Sequence, residues 1–190
     1  MYQKNPLLLH EIFGFNDAVT YFDESKLDHK KIQILLKYPD LLKALDEWIL
    51  VPNRNLLPKL KQLSLIVDKL YTFNYNSKIY RGFRKNSIQD TMGLTNRGFF
   101  IDTLKRETAP GYEFTYKVTN PLSFSTDLNI AKAFGKIVIE TKLPKHNKLV
   151  ITNELAHIIN KMRNLKKDTQ TQYEVIVFPD NILNCKIIRT

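Results

Sequence analysis

The chain has 190 residues, with 43% hydrophobic and 11% aromatic residues, a composition that fits a globular protein with a sizeable core and excludes a low-complexity or fibrous chain. A single cysteine, Cys185, excludes an internal disulfide framework, and its neighbours Leu183 and Ile187 mark it as a core thiol. The net charge of +10 is uneven: residues 1–76 carry ten Lys and Arg against nine Asp and Glu, and residues 77–190 carry nineteen against ten. The basic excess suits a phosphate-bearing ligand, a nucleic acid or an acidic protein surface.

The N-terminal stretch holds only a three-residue apolar run, Leu7–Leu9, too short for a signal peptide or a membrane span, so a cytoplasmic location is expected. Residues 1–76 then read as helical. Leu27, Ile32, Leu35 and Leu36 recur at helical spacing within 24–38, Leu41, Leu42, Leu45, Trp48 and Ile49 within 41–51, and Leu56, Leu60, Leu63, Ile66, Val67 and Leu70 within 56–73. Pro39 and Pro52 separate these segments, and Pro58 falls in a first turn, where proline is tolerated.

After the turn cluster 74–77 the period changes to two. Strands are expected over 78–83, 112–118, 136–142, 148–151, 173–178 and 182–188, with a helix over 154–165. Between them, Ser123, Ser125 and Thr126 lead to Asp127, which can cap a short helix bearing Ile130, Ala131 and Phe134, closed by Gly135. The expected architecture is α+β. A helical N-terminal part (1–76) packs on a β-rich part (77–190) whose short strands favour antiparallel or mixed sheets. The chain has no Gly-rich nucleotide loop. His10, His29, His146 and His157 lack metal-ligand spacing, so no metal site is expected.

Three motifs stand in order in the β-rich part: Tyr80-Arg81-Gly82 toward the end of one strand, Ser123-Phe124-Ser125 ending another, and Gln172-Tyr173-Glu174 opening a third. This order resembles the arginine–serine–glutamate class of ADP-ribosyltransferases, which includes clostridial exoenzymes and phage-encoded transferases. The likeness covers roughly residues 77–190, with Phe124 where the family usually has Thr, and Ser123 to Phe134 follows a run seen in some phage members. It implies a two-sheet transferase core that takes NAD as substrate. Arg81 would bind the diphosphate, and Gly82 would let the backbone approach the nicotinamide. Tyr80, Ser125 and Phe134 would line the NAD site. Glu174 would stabilise the positive charge that develops on the ribose, Ser123 would orient Glu174, and Gln172 would face the acceptor. In the family, Gln at the position of Gln172 goes with amide or nucleobase acceptors rather than arginine. The resemblance further implies a phage-encoded modifier or an intracellular toxin with a partner antitoxin.

Read singly, these residues allow other roles. An arginine at a strand end is normally an exposed surface charge, and a basic domain with interleaved aromatics (Tyr80, Phe83, Phe99, Phe100) also fits a non-enzymatic nucleic-acid-binding module. Water as acceptor would make the same site an NAD glycohydrolase. The positive balance of residues 77–190 favours RNA over a protein side chain as acceptor, with Lys166 and Lys167 near Gln172 as a candidate contact.

Overall fold

Asp28 breaks the first helical stretch in two. In the structure, a computed structural model that describes residues 24–83, 111, 113–134, 137–164 and 174–189, Glu24–Lys26 form a 3-10 turn. The Asp28 carboxylate then accepts the Lys30 and Lys31 amides and opens α1 (His29–Leu35). α2 (Pro39–Leu50) and α3 (Leu57–Leu70) each begin with a proline in the first turn. α2 buries Leu42, Ala44, Leu45 and Trp48, and α3 buries Leu60, Leu63, Ser64 and Val67. The third helix ends at Leu70, short of the expected Phe73: Tyr71 is extended, and its hydroxyl donates to the Glu154 carboxylate at 2.7 Å.

The strands are β1 (Lys78–Phe83), β2 (Glu113–Lys117), β3 (Leu122–Ser125), β4 (Ile137–Lys142), β5 (Lys148–Val150), β6 (Glu174–Val177) and β7 (Ile182–Arg189). Helix α4 (Leu128–Ala133) follows β3, and α5 (Asn153–Met162) follows β5. All seven described strands join in the order β2-β7-β4-β1-β3-β6-β5, every neighbouring pair antiparallel. The expectation of two sheets needs correcting. The described strands form one connected sheet, whose four-stranded half (β2-β7-β4-β1) and three-stranded half (β3-β6-β5) meet at a single residue pair, Tyr80 and Ser125.

Side chains from both halves fill one apolar cluster: Ile79, Ile139, Leu183 and Cys185 from the first, Leu122, Phe124, Val175 and Val177 from the second. A second cluster joins α1, α2, α3 and α5 to the other face of the three-stranded half through Leu149, Ile151, Ile176 and Phe178. β6 therefore serves both cores with alternate residues, which is why 175–178 is a continuous apolar run. On the face of the four-stranded half away from this cluster, α4 covers β1 at Gly82 and the neighbouring Val138 is buried, while β2 stays open and alternates accordingly, with Glu113, Thr115 and Lys117 exposed. Cys185 lies in the cluster between the halves, its thiol pushed up to about 12 by burial.

Lys148 departs from the apolar pattern. It is completely buried on the outermost strand, where its ammonium meets Asp68 of α3 at 2.6 Å and lies over the rings of Phe73 and Tyr75. The Ser64 hydroxyl donates to the Lys148 carbonyl at 2.6 Å, so α3 also covers a backbone acceptor of this edge strand. Among the described residues, no helix is long and apolar enough to cross a membrane.

Candidate active site

β1 and β3 pair only at Tyr80 and Ser125. Beyond that pair β1 stays with β4, with Arg81 opposite Ile139 and Gly82 opposite Val138. β3 stays with β6, with Ser123 opposite Ile176 and Ser125 opposite Glu174. Where the two strands part, a cleft of about 160 Å³ opens between the halves of the sheet. Tyr80, Arg81, Gly82, Ser123, Ser125, Phe134 and Glu174 all line it, so three stretches far apart in sequence reach one cavity. Gln172 lies outside the described residues, as do Gly135, Lys166 and Lys167.

Glu174 opens β6, and its carbonyl accepts the Ile151 amide at 2.9 Å, which ties its backbone to the end of β5. Its carboxyl group is enclosed among protein atoms although the residue keeps some exposure through the cleft. Burial pushes its pKa up from the ordinary value, while a hydrogen bond from the Ser123 hydroxyl and the Arg81 charge act against that rise. Ser123 and Glu174 are diagonal neighbours on one sheet face, within side-chain reach.

Arg81 is not the exposed strand-end charge that the sequence suggested. Alternation sends it to the same side as Ile79, into the seam between the halves, where its Nη1 donates to the Ser123 carbonyl. Its pKa is lowered by burial and supported by the carboxylate of Glu174 and by Tyr116. One guanidinium thus reaches across the parted strands and sets a positive charge behind the carboxylate.

Gly82 has a packing reason to be glycine. A Cβ at this position would lie 1.8 Å from the Ala131 carbonyl oxygen and 3.1 Å from the Phe134 Cβ, so α4 sits directly on the β1 backbone. The hydroxyl-rich end of β3 builds the approach to that helix. The Ser125 hydroxyl accepts the Asp127 amide at 3.0 Å, and the Asp127 carboxylate accepts the Asn129 amide at 2.7 Å. Phe134, at the C-cap of α4, places its ring on the cleft with 37% of its surface exposed.

Two further lining residues, Phe124 and Ala131, were not singled out from the sequence as site residues. Phe124 stood inside the serine motif as a departure from the family pattern, and Ala131 read only as an apolar helix position. Tyr116, buried beside Arg81, is a third neighbour: its pKa is raised by burial and held back by Thr119 and the Arg81 charge. Only the pairing of β2 with β7 brings it there, and no local pattern announces that pairing.

Chemically, the cleft offers a carboxylate positioned by a hydroxyl, a guanidinium and aromatic walls. Its volume matches cavities that admit one six-membered aromatic ring, and falls below the size that encloses a drug-sized ligand. Compared with protein-family models, curated proteins and solved structures, the chain matched none.

Proposed function

We propose that this protein is an NAD-dependent ADP-ribosyltransferase that modifies a macromolecule inside the cell. The observation that carries the reading is the convergence of Arg81, Ser123 and Glu174 on one cleft, with Ser123 and Glu174 diagonal neighbours on one sheet face. The space suits the nicotinamide ring of NAD, with the rest of the dinucleotide running outward along the cleft.

In this reading, the bond between nicotinamide and ribose breaks with its electron pair leaving on the nicotinamide, and the ribose carbon bonds to the acceptor's nucleophile. The ionised Glu174 stabilises the positive charge that develops on the ribose and holds a ribose hydroxyl. Ser123 fixes the carboxylate in place, so it need not reorganise as charge develops. Arg81 supplies positive charge for the diphosphate. Gly82 keeps α4 tight against β1 and the aromatic wall of Phe134 close to the ring site.

We favour RNA as the acceptor, because residues 77–190 carry nineteen Lys and Arg against ten Asp and Glu. Gln172 would then face a nucleobase; the protein alternative is an Asn or Gln side chain. A role as a phage-encoded modifier or an intracellular toxin, with an inhibitor protein as partner, follows from the same resemblance. A purely binding module has no use for a carboxylate enclosed beside Arg81.

The test is a cell lysate given the protein and NAD labelled in the adenylate moiety, then divided among ribonuclease, deoxyribonuclease and protease. Label lost to ribonuclease supports the reading. Label that survives both nucleases and is lost to protease transfers the activity to a protein acceptor. Wild-type protein that leaves NAD unconsumed removes the transferase reading altogether.

A further inference from the structure

The face of the four-stranded half that points away from the core is laid with lysines. Lys78 on β1, Lys142 on β4, Lys186 on β7 and Lys117 on β2 are all exposed on it, against the carboxylates of Glu140 and Glu113. Each carboxylate serves one lysine: Lys78 meets Glu140 at 3.0 Å, and Lys186 meets Glu113 at 3.9 Å. Lys117 and Lys142 form no ion pair among the described residues. Lys78 and Lys142 are moreover direct cross-strand partners. Like charges opposite each other on a sheet face repel, and Glu140 is engaged by Lys78, so Lys142 keeps no carboxylate of its own among the described residues and its ammonium is open to an anionic ligand.

This face meets the cleft at Tyr80, beside α4. Tyr80 follows Lys78 by two residues, so it shares that face, pairs with Glu140 and lines the cleft. A ligand lying along the lysines is therefore led past an aromatic ring toward Glu174. Exposed ammonium groups spread over several strands beside an aromatic ring fit a flexible chain of phosphates with bases that stack.

We infer that the exposed face of the four-stranded half, centred on Lys142 and Lys117, is a docking surface for single-stranded RNA that delivers a nucleotide to the cleft at Tyr80. The delivery role rests on RNA as the acceptor; the docking itself rests on the charge of the face.

The experiment measures binding of a fluorescent single-stranded RNA of mixed sequence by anisotropy across a salt series. It uses the full chain, the double variant Lys117→Ala/Lys142→Ala, and a control double variant, Lys59→Ala/Lys61→Ala, whose lysines are exposed on α3. The first variant is expected to bind about tenfold more weakly, and the slope of log affinity against log salt is expected to fall by about 1.4 for two lost phosphate contacts. The control is expected to bind like the wild type, and both variants to unfold at the wild-type temperature. Equal weakening in the two variants would reduce the binding to diffuse charge and overturn the assignment. So would a wild type that ignores RNA, or one that prefers polyglutamate as a stand-in for an acidic protein. Release of nicotinamide without RNA separates the two readings. It is expected to be unchanged in Lys117→Ala/Lys142→Ala, and RNA binding that behaves as described in a protein that consumes no NAD supports the surface while the transferase falls.

Discussion

Gly82→Ala tests how the cleft is built. The added methyl would stand 1.8 Å from the Ala131 carbonyl oxygen and 2.9 Å from the carbonyl carbon, both of them backbone atoms. No side-chain rotation relieves that contact, so α4 must move off β1 by more than about 1 Å. Overpacking of this kind costs about 1–3 kcal/mol, and for a chain of this length each kcal/mol lowers the melting temperature by about 2–4 °C. A fall of about 2–12 °C is therefore expected in a calorimetric scan. The displaced helix carries Phe134 and pulls on the turn closed by Ser125 and Asp127, so the wall of the cleft moves with it. NAD affinity, read by titration calorimetry on folded variant, is expected to drop by about tenfold or more, as a displacement near 1 Å in a positioned site does. A variant with wild-type melting and wild-type NAD affinity would show that α4 does not rest on β1 in solution, and the cleft as described would be wrong.

Three other perturbations read different parts of the account. Burial raises the Glu174 pKa, and the proposed mechanism uses the ionised form, so kcat/KM is expected to rise with pH through a limb above the ordinary carboxylate value of 4.5. Ser123→Ala removes a hydrogen bond that favours the ionised form and should move that limb to higher pH; an unmoved limb would separate Ser123 from Glu174. Arg81→Ala removes the guanidinium that spans β1 and β3, so it should weaken NAD binding and also destabilise the fold by about 1–3 kcal/mol in urea titration. A purely exposed arginine would leave stability within about 0.5 kcal/mol. Lys148→Met keeps the bulk on β5 but strands Asp68, and since Asp68 retains 28% exposure the cost should be about 1–3 kcal/mol, less than for a fully enclosed partner. Wild-type stability in this variant would show that the pair does not fasten β5 to α3.

Local order was readable from the residues because helices and strands announce themselves by period. β1 spans the expected 78–83, and the alternation of 112–118 resolves as β2 with its charged residues outward. The serine stretch was equally legible, since Asp127 caps α4 through a bond its own short side chain makes two residues on. Arg81 reads as exposed only while its strand end is taken alone. What buries it is the parting of β1 from β3, a property of the whole sheet. For the same reason the joining of the halves at one pair, the approach of Tyr116 to Arg81 and the burial of Lys148 under Phe73 and Tyr75 left no local signal. A lysine heading an apolar strand reads as an exposed end until the helix that receives it is in place. Arg81, Ser123, Ser125 and Glu174 were named from their order along the chain; that they line one cleft follows from the register of β1, β3 and β6, which no local pattern carries.

The most direct measurement of the central claim is nicotinamide release from NAD by purified wild type and by Glu174→Gln, with folding of both verified. The substitution keeps the shape of the side chain and removes the charge that opposes the developing cation. Release by the wild type and a loss of about 10²–10³-fold in the variant are expected. Near-equal turnover in the two proteins would remove Glu174 from the chemistry, and none in the wild type would remove the transferase.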